Sequence, residues 1–500
     1  MYKNDPRISI AEFNSPFGKL NPNNRWVQIA DMIPWHTYEK RYAKRFCPDN
    51  GAPAIKFRMA LGTLIIKQMT KHSDDEVLQD IIENPYMQFL IGLHEFTMEA
   101  PFAQSSITNF RKYITPEMMA EINDELFRKL KKINTDDDRS NYNDSSDNNP
   151  NSNDYPGGGN RTDGDDNDEP SRAANKGELL LDATCAPAYI AYPTDINLLN
   201  EAREKLETII DTLHPHTAEP IKPRTYRRNA RRSYLKFAKN RKPSKNLIRK
   251  TIKQQLQYVD RDLKHIDRQF RTTGDGPLNN TQRDQLHTIR ELYTQQRRMY
   301  ETKTHSIEDR IVSINQPHVR PIVRGKTNAP VEFGAKVSIS LVDGYAFIDK
   351  LSWDAYNEQE QLIPAIKTYR QRYGVFPEAV LADKIYRNRD NRAYCKKYGI
   401  RLSGPRLGRP PKEPDKSIYR QERQDASKRN TIEGKFGKGK VKYGLDRIMA
   451  RLKGSSETII VMAFFCMNIN RRLRVLFYRF LDLLFSRFDI LAFGFFGVYE

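Results

Sequence analysis

Residues 179–192, LLLDATCAPAYIAY, decide how the chain is read. Three leucines make an apolar strand that runs into Asp182, and the stretch stays β-rich through Tyr189, Ile190 and Tyr192. An aspartate inside such a strand is poorly explained by β-propensity. It is either a strand-end turn or arginine partner, or a carboxylate delivered by a sheet. Strand signals return after residue 316. FGAKVSISLVDGYAFIDKLSW (333–353) holds two β-rich runs joined by Asp343-Gly344, a hairpin signal. A helix is expected from about Asn357 to Tyr373. The apolar run AVLA (379–382) then delivers Asp383, with Lys384 and Arg387 just beyond, and RAYCKKYGIRLSGP (392–405) adds a helix and a short strand. Strands and helices alternating this way predict an α/β unit with a mixed sheet over residues 178–472.

Composition narrows the partners. The chain has 500 residues, enough for two to four domains, and a formal net charge of +20. That excess favours a polyanion, and nucleic acid comes before membrane because no lipid-anchoring motif is visible. Merely soluble basic protein is the competing reading. Cys47, Cys185, Cys395 and Cys466 are far apart and form no CxxC pair, which argues against a zinc finger or a disulfide framework. The first residues, MYKNDPRISI, lack an apolar signal region, so a reducing cytoplasm is expected. The longest apolar run, Ile459–Met467, falls well short of the roughly 20 residues that span a bilayer and reads as a buried helix.

Three further regions flank or interrupt the α/β unit. Residues 1–133 read as all-α. In KFRMALGTLIIKQM (56–69), Met59, Leu61, Leu64, Ile65 and Met69 can share one helical face. Ser73 and Glu76 form a capping box, Pro85 opens another element, and Ser105 or Ser106 caps ITNFRKYI. Short helices ending on Arg111 and Lys112 suit a helix-turn-helix-like DNA-binding unit, or equally a dimerisation or scaffolding module. Residues 134–177 are Asn/Asp/Gly/Ser-rich and acidic, with too little apolar surface to offset ordering, and are expected to be a disordered linker. A helical insertion is expected at about 200–315. Asp195 reads as the N-cap of its first helix. Residues 222–253 carry fourteen Lys and Arg and no acid, interleaved with Tyr226, Tyr234 and Phe237, which suits phosphate contact with occasional stacking. Arg227, Arg228, Arg231 and Arg232 are the DNA-binding candidates there. Residues 254–310 read as an antiparallel helical hairpin broken at TTGDGPLNN. The Pro-rich basic loop LGRPPKEP (407–414) reads as a linker or DNA-tracking loop. The hydrophobic tail, 473–500, packs on the core, mediates association or is partly exposed.

The chemistry converges on DASKRNTIEGKFGKGKVKYGLDRIMARLK (425–453), where Glu433 stands among cations. Asp182, Asp383 and Glu433 are the three acids best placed for catalysis. Cutting a phosphodiester requires an activated water or hydroxyl and a stabilised leaving oxygen. Two divalent ions about 3.5–4 Å apart, held by carboxylates, supply both, and oxygen donors with retained waters suit Mg²⁺ or Mn²⁺. Strand ends at one sheet edge, faced by a helix, can bring such distant acids together.

Here a resemblance enters. LLLDATCAPAYIAYPTDINLLNEARE, VLADKIYRNRDNRAYCKKYGIRLSGPRLGRPPK and RNTIEGKFGKGKVKYGLDRIMARL resemble segments of bacterial insertion-sequence transposases of the DDE class. MALGTLIIKQMTKHSDDEVLQDIIENPYMQFLIGL and SSITNFRK resemble the helical N-terminal domain of the InsH-like branch. The resemblance implies a ribonuclease-H-like catalytic core in which Asp182, Asp383 and Glu433 bind two Mg²⁺ ions, with Mn²⁺ as the alternative. It implies nicking at the ends of an element and transfer of the 3′ ends to target DNA. Double-stranded DNA is the implied partner, with a homodimer or higher oligomer in the synaptic complex, no membrane, and a nucleoid-associated location in the bacterial cytoplasm. The family's signature around the glutamate runs tyrosine, two residues, arginine, three residues, glutamate, six residues, lysine. Arg429, Glu433 and Lys440 match it; Ala426 stands at the tyrosine position. Arg429 and Lys440 share a side with Glu433 if the helix persists through Gly434, Gly437 and Gly439. The competing readings are a catalytically inactive or domesticated DNA-binding derivative and a related metal-dependent nuclease.

Overall fold

A computed structural model describes residues 9–47, 54–137, 174–323, 331–404 and 416–496. Six strands form one mixed sheet: β1 (Glu178–Pro187), β2 (Arg320–Val323), β3 (Val331–Val342), β4 (Tyr345–Ser352), β5 (Ala379–Leu381) and β6 (Arg401–Leu402). The order is β2-β3-β1-β5-β6, with β4 pairing with β3 as well. β3 runs antiparallel to β1, β2 and β4, whereas β5 lies parallel to β1, and β6 parallel to β5. The β3–β4 turn is the expected one. Asp343 and Gly344 both have positive φ, 50° and 77°, the mark of a type I′ hairpin turn.

β1 is central and buried on both faces. Leu180 and its antiparallel partner Leu341 pack with Val337 and Ile339 against Ile432 and Phe436 of the helix Lys416–Tyr443 and against Ile460, Phe464 and Met467. Leu179 and Leu181 face the other way, onto Leu362, Ala365 and Ile366 of the helix Leu362–Tyr373. The helix expected from Asn357 begins as a 3-10 turn, Glu358–Gln361, before Leu362. The strands approach closely where β3 passes the end of β1: a Cβ on Gly334 would meet the Ala186 carbonyl oxygen at 2.2 Å and Pro187 Cα at 2.7 Å.

The N-terminal region is all-α, as expected, and packs into the same core as the sheet. Its central helix, Phe57–Thr70, is not one-faced. Ala60, Leu61, Leu64, Ile65 and Ile66 are buried around its circumference, and even Arg58 is buried, donating to the Phe89 and Leu90 carbonyls at 2.7 and 3.1 Å. The Ser73/Glu76 capping box is formed, and Pro85 is the first residue of Pro85–Leu90. Ser105 is at the N-cap position of Ser106–Tyr113 but makes no side-chain cap. Arg372 pairs with Asp124 at 2.9 Å, and Asn468 donates to Asn123 at 3.0 Å, tying this region to the helix Leu362–Tyr373 and to the last helix. The helix Pro116–Asp137 runs past residue 133; residues 138–173 of the expected linker, and the loop 407–414, lie outside the described residues.

The insertion folds around its own core. Helices Asp195–Leu213, Lys245–Thr273 and Asn280–Thr302 bury Leu199, Leu206, Val259, Ile266, Ile289 and Leu292 together, and the last two form the expected antiparallel hairpin. The cap of the first helix is Thr194, which accepts from Asn197 N at 3.2 Å; Asp195 is the first helical residue and pairs with Arg310 at 2.7 Å. The tail is no separate element either: one helix, Lys453–Phe496, contains both Ile459–Met467 and most of the tail. Among the described residues no helix is long and apolar enough to cross a membrane.

The contact at Gly334 yields a test. Gly334→Ala forces two backbones apart and is expected to lower stability by about 1–3 kcal/mol, read as a fall in urea midpoint with unchanged m-value.

Candidate active site

The parallel pairing of β1 and β5 sets the first two acids at matching positions. Leu180 pairs with Leu381, and two residues further on stand Asp182, within β1, and Asp383, just past the end of β5. β5 ends at Leu381, and Asp383 caps the following 3-10 turn, Lys384–Tyr386, by accepting from Lys384 N at 2.7 Å. Asp182 is half-buried and accepts from Ala183 N at 2.8 Å.

The third acid comes from the helix Lys416–Tyr443, which lies across β1 and β5 on the Asp182 face. Three contacts hold it in place. Asp425 is buried and paired with Arg401 of β6; Lys428 pairs with Glu178 of β1 at 2.6 Å; and beyond the helix Ile448 N donates to Pro187 O at 2.8 Å. The helix runs unbroken through Gly434, Gly437 and Gly439. Gly434 and Gly437 are exposed, while a Cβ on Gly439 would meet Leu445 Cδ1 at 2.8 Å, so its small size lets the chain fold back beyond the helix end. Arg429, Glu433 and Lys440 therefore do share a side.

Arg429 joins the acids. Its guanidinium lies 3.6 Å from Asp383 and 3.8 Å from Glu433, whose side chains are 49% and 57% exposed. Asp182 lies deeper. Burial is the main reason its carboxyl is pushed up to about 6; Glu358 and Glu433 add repulsion, and the Ala183 amide and Arg429 oppose them. Glu358, on the 3-10 turn after β4, is thus a fourth acid near the site. It pairs with Lys336 of β3 at 2.9 Å. Nothing in its local sequence marks it, because only the tertiary fold carries that turn towards β1.

Hard carboxylate oxygens with a surplus of negative charge around Asp182 are chemistry suited to a divalent cation. The spacing is closed, however. Among the described residues no three acidic, histidine or cysteine side chains stand close enough to hold a metal ion, and Arg429 lies between two of the acids. Loading the site would require Arg429 to release Asp383 and Glu433.

The remaining candidate cations differ in how firmly they are held. Arg227 is held by Asp211 through two hydrogen bonds of 3.0 and 2.7 Å, and its neighbour Tyr226 takes a positive φ of 53°. Arg228, Arg231 and Arg232 are exposed on the helix Arg227–Ala238, whose single buried residue is Ala230, and none has an ion-pair partner among the described residues. Arg111, on the short N-terminal helix, is mostly covered and paired with Asp74 at 2.6 Å. Lys440 is half-buried beside the acids' helix face. Lys435 points elsewhere and donates to the Gly344 carbonyl at 2.9 Å; burial, then Arg471, Lys438 and Arg474, push its ammonium down to about 7.

An α/β core with one acid midway along β1, another just past β5 and a third on the cation-rich helix that covers them defines a class of site rather than one protein. Comparison with known families narrows it. Residues 380–470 match the family described as Transposase DDE domain, and residues 15–113 match the family described as Transposase domain (DUF772). The resemblance to bacterial insertion-sequence DDE transposases is thus borne out at both ends of the chain. The first match contains Asp383, Arg429, Glu433 and Lys440; Asp182 lies outside both. Over 103 residues the chain is 35% identical to the uncharacterized protein ORF8 in nfe locus of Rhizobium meliloti, covering 21% of this chain and 49% of that protein. The chain therefore spans about half the length of this curated relative. No solved structure matches.

The elevated Asp182 pKa carries a stability signature. Below about pH 4 the carboxyl is neutral folded and unfolded, and nothing is lost. Between about pH 4 and 6 the unfolded chain releases the proton while the folded one keeps it, so stability falls as pH rises. Above about pH 6 the full penalty applies, at most about 2–3 kcal/mol and reduced by partial exposure. Asp182→Asn is expected to raise the melting temperature by a few degrees at pH 8 in chelator, with the gain vanishing near pH 4. A gain independent of pH would contradict this account.

Proposed function

We propose that the chain is a DDE transposase that binds the ends of its element, cleaves the DNA by metal-dependent hydrolysis and transfers the 3′ ends to target DNA. The observation that carries this reading is that Arg429 pairs with both Asp383 and Glu433, acids from two distant regions of sequence, while Asp182 on β1 is near enough to feel the charges of Arg429 and Glu433. The strand order supports a ribonuclease-H-like core: three long antiparallel strands, the first of which also pairs in parallel with β5 and through it with β6.

In this reading Asp182, Asp383 and Glu433 would hold two Mg²⁺ ions, or Mn²⁺ in their place. When bound, such ions activate the attacking water or 3′ hydroxyl and stabilise the leaving oxygen. The chain's own residues do the rest. Asp182, on the most constrained strand, fixes the deep end of the site. Arg429, once released from Asp383 and Glu433, becomes a cation within reach of a scissile or adjacent phosphate. Lys440, two turns further along the same side, offers a second phosphate contact. Arg228, Arg231 and Arg232 form an exposed cationic face on the insertion, suited to the backbone of an element end. Arg227 positions that face through Asp211, so its loss would tilt the helix rather than remove a free contact. Tyr419, 53% exposed, lies two turns before Ala426 on the same helix side and offers a ring where the signature tyrosine is missing.

Two experiments test the proposal. Asp182→Asn, Asp383→Asn and Glu433→Gln should each reduce cleavage of end-sequence DNA below detection while binding persists; wild-type nicking by any of them sinks the assignment. Arg228→Gln/Arg231→Gln/Arg232→Gln should lower the slope of log affinity against log salt by about 2–3, since each phosphate contact contributes about 0.9. An unchanged slope would mean that this face is solvated.

A further inference from the structure

The helix that carries Glu433 has a second cationic side. At about 100° per residue, Arg429 and Lys440 fall within about 40° of Glu433, whereas Lys435, Lys438 and Lys442 fall about 140–200° away. These three line a separate cleft of about 450 Å³. Its other wall is the last helix, which contributes Arg471 and Arg474, and its floor includes Gly344 of the β3–β4 turn and Tyr443. Five basic side chains thus line one concavity whose lining includes no carboxylate.

The cleft is shaped around these cations. A Cβ on Gly344 would stand 2.4 Å from the Arg471 guanidinium carbon, so the glycine that makes the turn also admits the arginine. Arg471 lies over the Tyr345 ring at 5.3 Å, and Lys435 is fixed on the Gly344 carbonyl at 2.9 Å. Lys438, Lys442 and Arg474 are exposed and have no ion-pair partner among the described residues. Lys435 and Lys438 are three residues apart, Lys438 and Lys442 four, and Arg471 and Arg474 three, spacings at which like charges on a helix repel. A solvated surface tends to intersperse such charges with acids. A concave set with none is suited to several anionic oxygens at once.

We propose that this cleft is a second phosphate-binding site, which takes the sugar–phosphate backbone of a DNA duplex on the side of the helix turned away from Glu433. The choice of DNA as ligand rests on the transposase reading. One helix would then hold two backbone tracks, one at the acids and one in the cleft, with a spacing set by the helix diameter.

The test uses the full-length protein and a random-sequence duplex, with affinity measured between about 50 and 200 mM salt. Lys438→Gln/Lys442→Gln/Arg474→Gln should lower the salt slope by about 2–3. Removing three exposed cations from the insertion hairpin, Arg268→Gln/Arg271→Gln/Lys303→Gln, should leave it unchanged. The single variants Lys438→Gln and Lys442→Gln, each expected to lower the slope by about 0.9, keep the test open if the triple variant folds poorly. An unchanged slope in the cleft variants, or an equal fall in the hairpin control, overturns the proposal. So does loss of binding to phosphatidylserine vesicles with DNA binding intact, which would assign the cleft to a membrane surface. The two readings fail separately: a cleft variant with wild-type slope alongside an inactive Glu433→Gln removes only the cleft, whereas normal cleavage by Glu433→Gln alongside a reduced cleft slope removes only the transposase assignment.

Discussion

Everything at the site depends on one pairing, the parallel register of β1 with β5. Asp182 and Asp383 are 201 positions apart in sequence, yet the pair Leu180–Leu381 sets both two residues beyond a shared rung, Asp182 on β1 and Asp383 just past the end of β5. A slip by one residue would turn one of the acids to the opposite face. Two other constraints protect the register. The long antiparallel pairing with β3 fixes β1 from its other edge, and the apolar face around Leu180 and Leu381 is buried under Ile432 and Phe436. The helix that supplies Glu433 therefore also helps hold in register the strands that supply its partners.

Local chemistry was legible in the sequence where it is self-contained. The Asp343-Gly344 turn, the Ser73/Glu76 capping box and the helical hairpin of the insertion each depend on a few adjacent residues, and each is present. The three acids were reached differently, by their setting on a strand, at a strand end and on a cation-rich helix, and by resemblance. What stayed hidden depends on tertiary partners. Met59, Leu61, Leu64, Ile65 and Met69 predict one apolar face for Phe57–Thr70, but the helix is packed from all sides and Arg58 is buried on two carbonyls. Arg227 and Arg228 are identical neighbours in sequence; Asp211, sixteen positions away, distinguishes them. Thr194 displaced Asp195 as cap because Asp195 is engaged by Arg310 from the far end of the insertion.

The insertion and the α/β core divide the physical work. The insertion has a hydrophobic core of its own, so its cationic helix can stay exposed without weakening the sheet. The N-terminal region does the opposite. It shares its core with one face of the sheet and with the last helix, and Asp124 and Asn123 anchor it there. Changes in the N-terminal helices should therefore be felt at the sheet, whereas changes on the insertion surface should be felt only by what binds it.

Arg429 bridges two of the acids. With Asp383 and Glu433 both half-exposed, one guanidinium paired with each lowers their mutual repulsion and links the helix to the end of β5. In the transposase reading, a divalent cation would carry twice that charge and accept oxygen ligands directly, so it would compete for the same carboxylates. A guanidinium so displaced would stand where phosphate oxygens would arrive, and the same positive charge would serve first to hold the acids and then to receive an anion. This exchange requires an arginine that is not tied elsewhere; the fully committed Arg401 and Arg387, bound to a buried carboxylate and to two carbonyls respectively, are in no position to make it.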